Sequence, residues 1–463
     1  MSRLNTFFRR FTDGTLFPWE RAFTKEALNV AVPIVIHSLF ASLLHIIDNV
    51  MIGQLGETEL AAVTQANRIT FLFQMVLFGL AGGTATYAAQ FWGKRDLAGI
   101  RRVMGLALCV ALLAALLFLI PSLLVPGVLM GLLLKEADAV ALAATYLPII
   151  AVGYLMQAVT QCFSTVQKST EQTKLSMAGG IASLLVNTGL NYCLIFGRLG
   201  FPRLGVRGGA LATVIALAVE MIIIVGMGYR LRFASAARLS ELIPRSAAFA
   251  RKYFAVALPV VLNEGLWSLG IVMYSAVYGR IGTSAVAAIS IFNTIEQVAF
   301  CTMRGLTSAA AVMIGKRIGA GDEDGAQRTA HRFLWSALPS GAFAGALLLL
   351  ISTPLLSLFN VSPAVAADAK ALVRICALFL WLSQLGGLLV VGVMRAGGDV
   401  QMSLYLDAGS AWFIGVPLVA LAGLVLRLPL PIIFLMSQSE NITKVGLGLL
   451  RFKSRKWIHN LVR

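Results

Sequence analysis

The stretch DNVMIGQLGETELAAVTQAN, residues 48–67, returns as YSAVYGRIGTSAVAAISIFN, residues 274–293. Gly53, Gly56, Ala61, Ala62, Val63 and Asn67 meet Gly279, Gly282, Ala287, Ala288, Ile289 and Asn293 at one offset of 226 (279 minus 53). Working outward, the same offset joins Pro33 to Pro259, Gly79 to Gly305, Gly93 to Gly319, Asp96 to Asp322, Gly99 to Gly325 and Arg102 to Arg328 without a gap. One register held from residue 33 to residue 102 makes the chain two homologous halves.

Composition says what those halves are made of. Hydrophobic residues are 58% of the 463 and charged residues 13%, against roughly 25% charged in soluble domains. Such a chain cannot cover itself with polar side chains, and lipid as solvent removes the need. Apolar runs bounded by charge or Gly/Pro predict twelve helices, over 27–52, 60–92, 102–131, 139–166, 175–197, 206–229, 253–279, 286–315, 330–359, 366–394, 402–425 and 428–452. Each can supply the roughly 20 residues of a span. Six spans per half is an even number, so the halves enter from the same side as parallel repeats, with substrate expected between them near mid-membrane. The expected fold is an all-α membrane protein of twelve transmembrane helices. Residues 1–231 form one six-helix lobe, 232–252 a basic cytoplasmic linker and 253–463 the second lobe.

The net charge of +17 fits either a nucleic-acid binder or the Lys/Arg bias of cytoplasmic loops. Position decides. Arg9 and Arg10 precede the first run, and Lys94, Arg95, Arg101 and Arg102 follow the second. Arg230, Arg232, Arg238, Arg245, Arg251 and Lys252 fill the centre. Lys316, Arg317, Arg328 and Arg332 form another cluster, and Arg451, Lys453, Arg455 and Lys456 close the chain. These lie between spans, not along one amphipathic face; Arg198, Arg203 and Arg207 are the exception, on the opposite side. The expectation is a multi-pass protein of the cell inner (plasma) membrane with both termini cytoplasmic. Its partners are lipid and small molecules, not nucleic acid, and it is expected to be monomeric.

Several chemistries lack their residues. No GxxxxGK[ST] phosphate loop is present, so an ion gradient is the expected source of work. No HExxH occurs, and His37, His45, His331 and His459 show no metal-ligand spacing. Cys109, Cys162, Cys193, Cys301 and Cys376 stand singly in or beside apolar runs and read as small hydrophobes. With no nucleophile–base pair or metal set, an enzyme is not expected, nor a cofactor beyond a coupling H+ or Na+. The sequon at Asn441 falls in the last helix and reads as chance.

A carboxylate at mid-bilayer costs about 2.5–3.5 kcal/mol on insertion scales, so the few acids inside apolar runs carry weight: Asp48, Glu220, Glu264 and Asp407. Glu296, Asp96 and Asp322 read as nearer helix ends or loops. Asp48, in SLLHIIDNVMIG, is a candidate to hold a proton or a cation; its repeat counterpart is Tyr274. Asn187 and Asn191, in LLVNTGLNYCLIFG, share one helix face and can offer two carbonyl oxygens to a hard cation. The plainer alternative is interhelical hydrogen bonding, worth about 0.6 kcal/mol in membranes. Glu264 follows Pro259 in LPVVLNEGLWSLG and can protonate or attract a cationic substrate. Asp407, in MSLYLDAGSAWFIGVP, lies early in its helix, nearer the interface. Glu220, in ALAVEMIIIVG, can pair with a polar group on a neighbouring helix.

In order along the chain, DNVMIGQLG, AAQFWGKRD, LPVVLNEG, GKRIGAGDEDGAQR, MRAGGD and LLRFKSRKWI resemble the multidrug and toxic compound extrusion (MATE) family, over essentially the whole length. The resemblance implies two six-helix lobes in a V around a central cavity. It also implies antiport of drugs, often cationic and amphipathic, against H+ or Na+. By motif, Asp48 is similar to the family's first-helix carboxylate, with Asn187, Asn191 and Thr213 (in GGALATV) completing a cation site. Glu264 matches the seventh-helix acid of the NorM-type branch and joins the substrate or proton-binding candidates. Where that branch has a tenth-helix acid, LWLSQLGG offers Gln384, and Asp407 is the candidate replacement. Some members carry an acid where this chain has Asn191. Distant relatives flip lipid-linked precursors, a job calling for basic residues in the cavity; Arg68 and Arg304 are the positions that bear on it.

Overall fold

The computed structural model describes residues 21–133, 136–243, 246–356 and 362–463; Arg9, Arg10 and Arg245 lie outside them. Helices occupy each predicted position: α1 (Arg21–Gly53), α2 (Glu57–Lys94), α3 (Leu97–Leu124), α4 (Ala137–Ser169), α5 (Thr173–Phe196), α6 (Val206–Arg230), α7 (Ala247–Ile281), α8 (Thr283–Gly319), α9 (Glu323–Leu356), α10 (Pro363–Arg395), α11 (Val400–Val425), and the pair α12 (Leu430–Ser437) and α13 (Ser439–Lys453). Among the described residues no strand forms beyond a lone bridge between Gly398 and Ile458.

Ten of these helices are long and apolar enough to cross a membrane, and eleven with α8, which bends by 45° between Thr283–Gln297 and Ala299–Gly319. The twelfth expected span arrives as the two short helices α12 and α13, with a turn at Gln438 between them. Several helices run past their predicted ends into charged sequence, because backbone hydrogen bonding continues where apolarity stops.

The repeat explains two of those ends. Asp96 accepts from Gly99 N and Asp322 from Gly325 N, each at 2.8 Å, capping α3 and opening α9. The glycine three residues on leaves room for the capping carboxylate: a Cβ at Gly325 would stand 1.8 Å from Asp322 Oδ2. These two acids are therefore N-caps, the role that short acidic side chains fill at helix starts.

Two compact units emerge. One holds residues 36–265 with Val462, the other the described residues up to Val35 with Leu266–Leu461 and Arg463. The division falls inside α1 and α7, shortly after Pro33 and Pro259. In the first unit α2 packs on α7: a Cβ at Gly79 would stand 2.6 Å from Val261 Cα, and one at Gly83 2.7 Å from Ala257 Cα. In the second, α8 packs on α1: a Cβ at Gly305 would stand 2.2 Å from Val35 Cγ2. Val35 and Val261 are themselves 226 apart, as are Gly79 and Gly305, so both units use one contact. Small residues at such crossings let membrane helices approach closely.

Elsewhere the first unit closes around Ile52, Ala66, Tyr146, Leu147, Ile150 and Ile195, the second around Ala309, Phe333, Leu388 and Met394 and around Phe292, Ile295, Leu372 and Ile433. The basic segment after α6 packs on the first unit. Arg101 pairs with Glu241 at 2.8 Å, and Tyr87 donates to the Lys252 carbonyl at 3.0 Å.

Candidate functional site

In the first unit, α1, α5 and α6 bring together four of the expected residues through one directed chain. Thr213 Oγ1 donates to the Gly209 carbonyl at 3.0 Å, so toward Asn187 it can only accept, and Asn187 Nδ2 donates to it at 3.2 Å. That turns Asn187 Oδ1 toward Asn191 Nδ2, at 3.0 Å. Asn191 Nδ2 also donates to Asp48 Oδ1. The orientation of each amide follows from the network.

The chain has a remainder. Asn191 Oδ1 is buried and meets no donor, although buried polar atoms are almost always satisfied. That oxygen belongs to a residue 1% exposed, next to the fully buried Asn187, and with the Asp48 carboxylate it is of the kind a hard cation takes as a ligand. Residue spacing indicated Asn187 and Asn191; their alignment with Asp48 and Thr213 depends on three helices meeting. Among the described residues no three or more of His, Cys, Asp and Glu are grouped so as to hold a metal ion; the oxygens gathered here are those of amides, a hydroxyl and one carboxylate.

The second unit builds a different cluster from α7, α11 and α13. Lys444 Nζ lies 2.8 Å from Asp407 Oδ1 and 3.5 Å from Glu440 Oε1. Tyr274 donates its hydroxyl to Glu440 Oε2 at 2.7 Å. Lys444 is 6% exposed. Gly415 makes the space: a Cβ there would stand 2.0 Å from the Tyr274 hydroxyl. Asp407 lies in a π turn, Tyr405–Gly409, and Gly415 ends the next, Ala411–Gly415. Such turns are frequent at functional sites. Sequence reading reached Asp407, and Tyr274 only as the repeat counterpart of Asp48, but not Glu440 or Lys444. The one available signal was the Glu440–Lys444 spacing of four, the spacing of an intrahelical ion pair.

The remaining candidates separate between the units. Glu264 is buried on α7, in the unit that holds Asp48. Gln384 is 2% exposed on α10 in the other unit, and its Nε2 has no partner. Asn441 spends its amide on Ser383 at 3.0 Å and Gln438 at 3.2 Å. Glu220 pairs with His37, Nε2 to Oε1 3.5 Å, beside Gly180, where a Cβ would stand 2.7 Å from the imidazole. Glu296 lies well inside α8 rather than near an end, and accepts from Cys376 Sγ at 3.5 Å. The helix expected over 286–315 already runs past Glu296 on both sides, and α8 confirms that its reading as a helix-end acid is wrong. Arg68 and Arg304 are exposed in their own units.

Known proteins resemble this chain in sequence and in fold. The MatE family model matches residues 33–193 and 259–421, once in each half. "Multidrug resistance protein PmpM" of Pseudomonas aeruginosa is 28% identical over 86% of this chain and 83% of its own. "Probable multidrug resistance protein NorM" of Thermotoga maritima is 23% identical over 94% and 93%. Among solved structures, a multidrug resistance MATE family transporter of the MOP superfamily in an outward-facing conformation superposes with a TM-score of 0.84 at 20% identity, covering 94% of this chain and 97% of that one. A MOP superfamily transporter from Pyrococcus furiosus gives 0.83 at 20%, with the same coverage.

Proposed function

Because this chain belongs to the MatE family, we propose that it is a secondary active multidrug efflux transporter, exporting small organic compounds in exchange for H+ or Na+. The relatives whose names state multidrug resistance support the substrate class. The observation that carries the coupling is the buried, donorless Asn191 Oδ1 beside the Asp48 carboxylate. A proton or sodium ion at Asp48 completes that site, with Asn187 and Thr213 holding Asn191 in orientation. Glu264, Gln384 and Asp407 are the residues assigned to substrate or proton binding.

The exchange works by linkage. If cation and drug favour different conformations, each lowers the apparent affinity for the other by the same factor. Cation entering down its gradient then resets the protein that has released drug. No covalent step is needed, and the protein is assigned no enzymatic activity and no cofactor beyond the coupling ion. The distribution of Lys and Arg supports both termini in the cytoplasm of a plasma membrane protein. The working unit is assigned as one chain, with lipid and drug-like molecules as its partners.

The test is efflux of a fluorescent organic cation from cells expressing wild type or Asp48→Asn. Asparagine keeps the acceptor for Asn191 but loses the charge, so cation-driven efflux falls to background. Efflux undiminished in this variant removes Asp48 from coupling. Proteoliposomes under separate Na+ and proton gradients identify the ion.

A further inference from the structure

The two halves treat one position differently. Asp48 on α1 stands in register with Tyr274 on α7. Around Asp48 the partners come from the fifth and sixth helices of the half, Asn187 and Asn191 on α5 and Thr213 on α6. Around Tyr274 they come from the fifth and sixth positions of the second half, Asp407 on α11 and Glu440 and Lys444 on α13. The same three helices of each repeat thus converge on one site. In the first unit it holds one carboxylate and an acceptor without a donor. In the second it holds two carboxylates and an ammonium.

We propose that Lys444 is a tethered cation, permanently filling in the second unit the place that an exchangeable cation takes at Asp48 in the first. The distances support this assignment. The ammonium is within contact of both carboxylates, 2.8 and 3.5 Å, and Asp407, Glu440 and Lys444 have side chains 16%, 15% and 8% exposed. A buried charge without a partner is costly, so two interior acids call for a cation, and a lysine side chain supplies one that cannot leave. Tyr274 takes the place of the third acid that strict repetition of Asp48 would have put there, and as a donor to Glu440 it disperses charge instead of adding it. The consequence is chemical asymmetry: with Lys444 on it, Asp407 is left to substrate binding rather than to a proton, only the first unit exchanges its monovalent cation, and the second becomes a site for a free proton or sodium ion when the tether is removed. This rests on the reading of Asp48 as the exchangeable site.

The experiment measures uptake of 22Na+ at equilibrium, and of protons in weakly buffered solution, per molecule of purified full-length protein in nanodiscs. Lys444→Met, confirmed as folded by its thermal transition, is expected to take up about twice the wild-type amount. Adding Asp48→Asn to it returns uptake to the wild-type level, and Lys444→Arg, which keeps the tethered charge, also remains at that level. Folded Lys444→Met with no added uptake overturns the proposal. If Lys444→Met does not fold, Asp48→Asn with Lys444 intact decides. It is expected to take up no 22Na+, and residual uptake that disappears on adding Asp407→Asn shows that the second unit exchanges despite its lysine, which also overturns the proposal. Residual uptake that Asp407→Asn leaves unchanged refutes the Asp48 assignment instead.

Discussion

Thr213 makes no hydrogen bond to Asp48, yet replacing it with valine should weaken cation coupling. Thr213→Val keeps the side-chain volume and removes the hydroxyl that accepts from Asn187 Nδ2 at 3.2 Å. The Asn187 amide then loses the contact that turns its oxygen toward Asn191, and Asn191 loses part of what aims its Nδ2 at Asp48. One hydrogen bond is at stake, worth about 0.6 kcal/mol on average between membrane helices and up to about 1.5 kcal/mol as the net contribution of a protein hydrogen bond. At 1.4 kcal/mol per tenfold, the cation concentration for half-maximal drug exchange rises about 3- to 13-fold. The assay is drug exchange in proteoliposomes across a series of cation concentrations, with Thr213→Ser as the control that keeps the oxygen. A valine variant within twofold of wild type, alongside a normal serine variant, would refute the idea that the chain from Gly209 to Asp48 acts as one unit.

Two further predictions concern the packing of the segment after α6. A Cβ at Gly105 would stand 1.9 Å from the Leu242 carbonyl oxygen, so Gly105→Ala must push this backbone away at about 1–3 kcal/mol; its melting temperature falls, whereas that of Gly127→Ala, with nothing within 4 Å, does not. Glu241 lies outside the spans, accepting from Arg238 N at 2.7 Å and Arg101 Nη1 at 2.8 Å. The Arg238 backbone bond and then Arg101 hold its carboxyl below the ordinary 4.5. A depressed folded pKa stabilises at pH values above the unfolded one, and that contribution is lost as pH falls through the folded value. Proteolysis of the 232–252 segment should therefore be faster in Glu241→Gln than in wild type at neutral pH, with the two converging below 4.5; a constant difference down to acid pH would exclude the mechanism.

What the sequence determined by itself is whatever one helix or one repeat carries. The position of each helix was legible because apolarity is local, and the two halves because a single offset runs from Pro33 to Arg102. Asn187 and Asn191 were legible as a pair because four residues are one helical turn. The tertiary structure decided what those faces meet. That Gly79 closes on Val261 and Gly305 on Val35 depends on helices distant in sequence, and the repeat signals only that both contacts would be alike. Glu296 read as nearer a helix end, whereas α8 holds it well inside, packed on Cys376 of α10, a contact that only tertiary packing makes. Lys444 was not singled out by the sequence. Its meeting with Asp407 needed α11 and α13 side by side, and π turns in α11 break the regular helical spacing from which a facing residue is inferred. Periodicity places a side chain on a face of its own helix, while partners are chosen by packing, to which every other helix contributes.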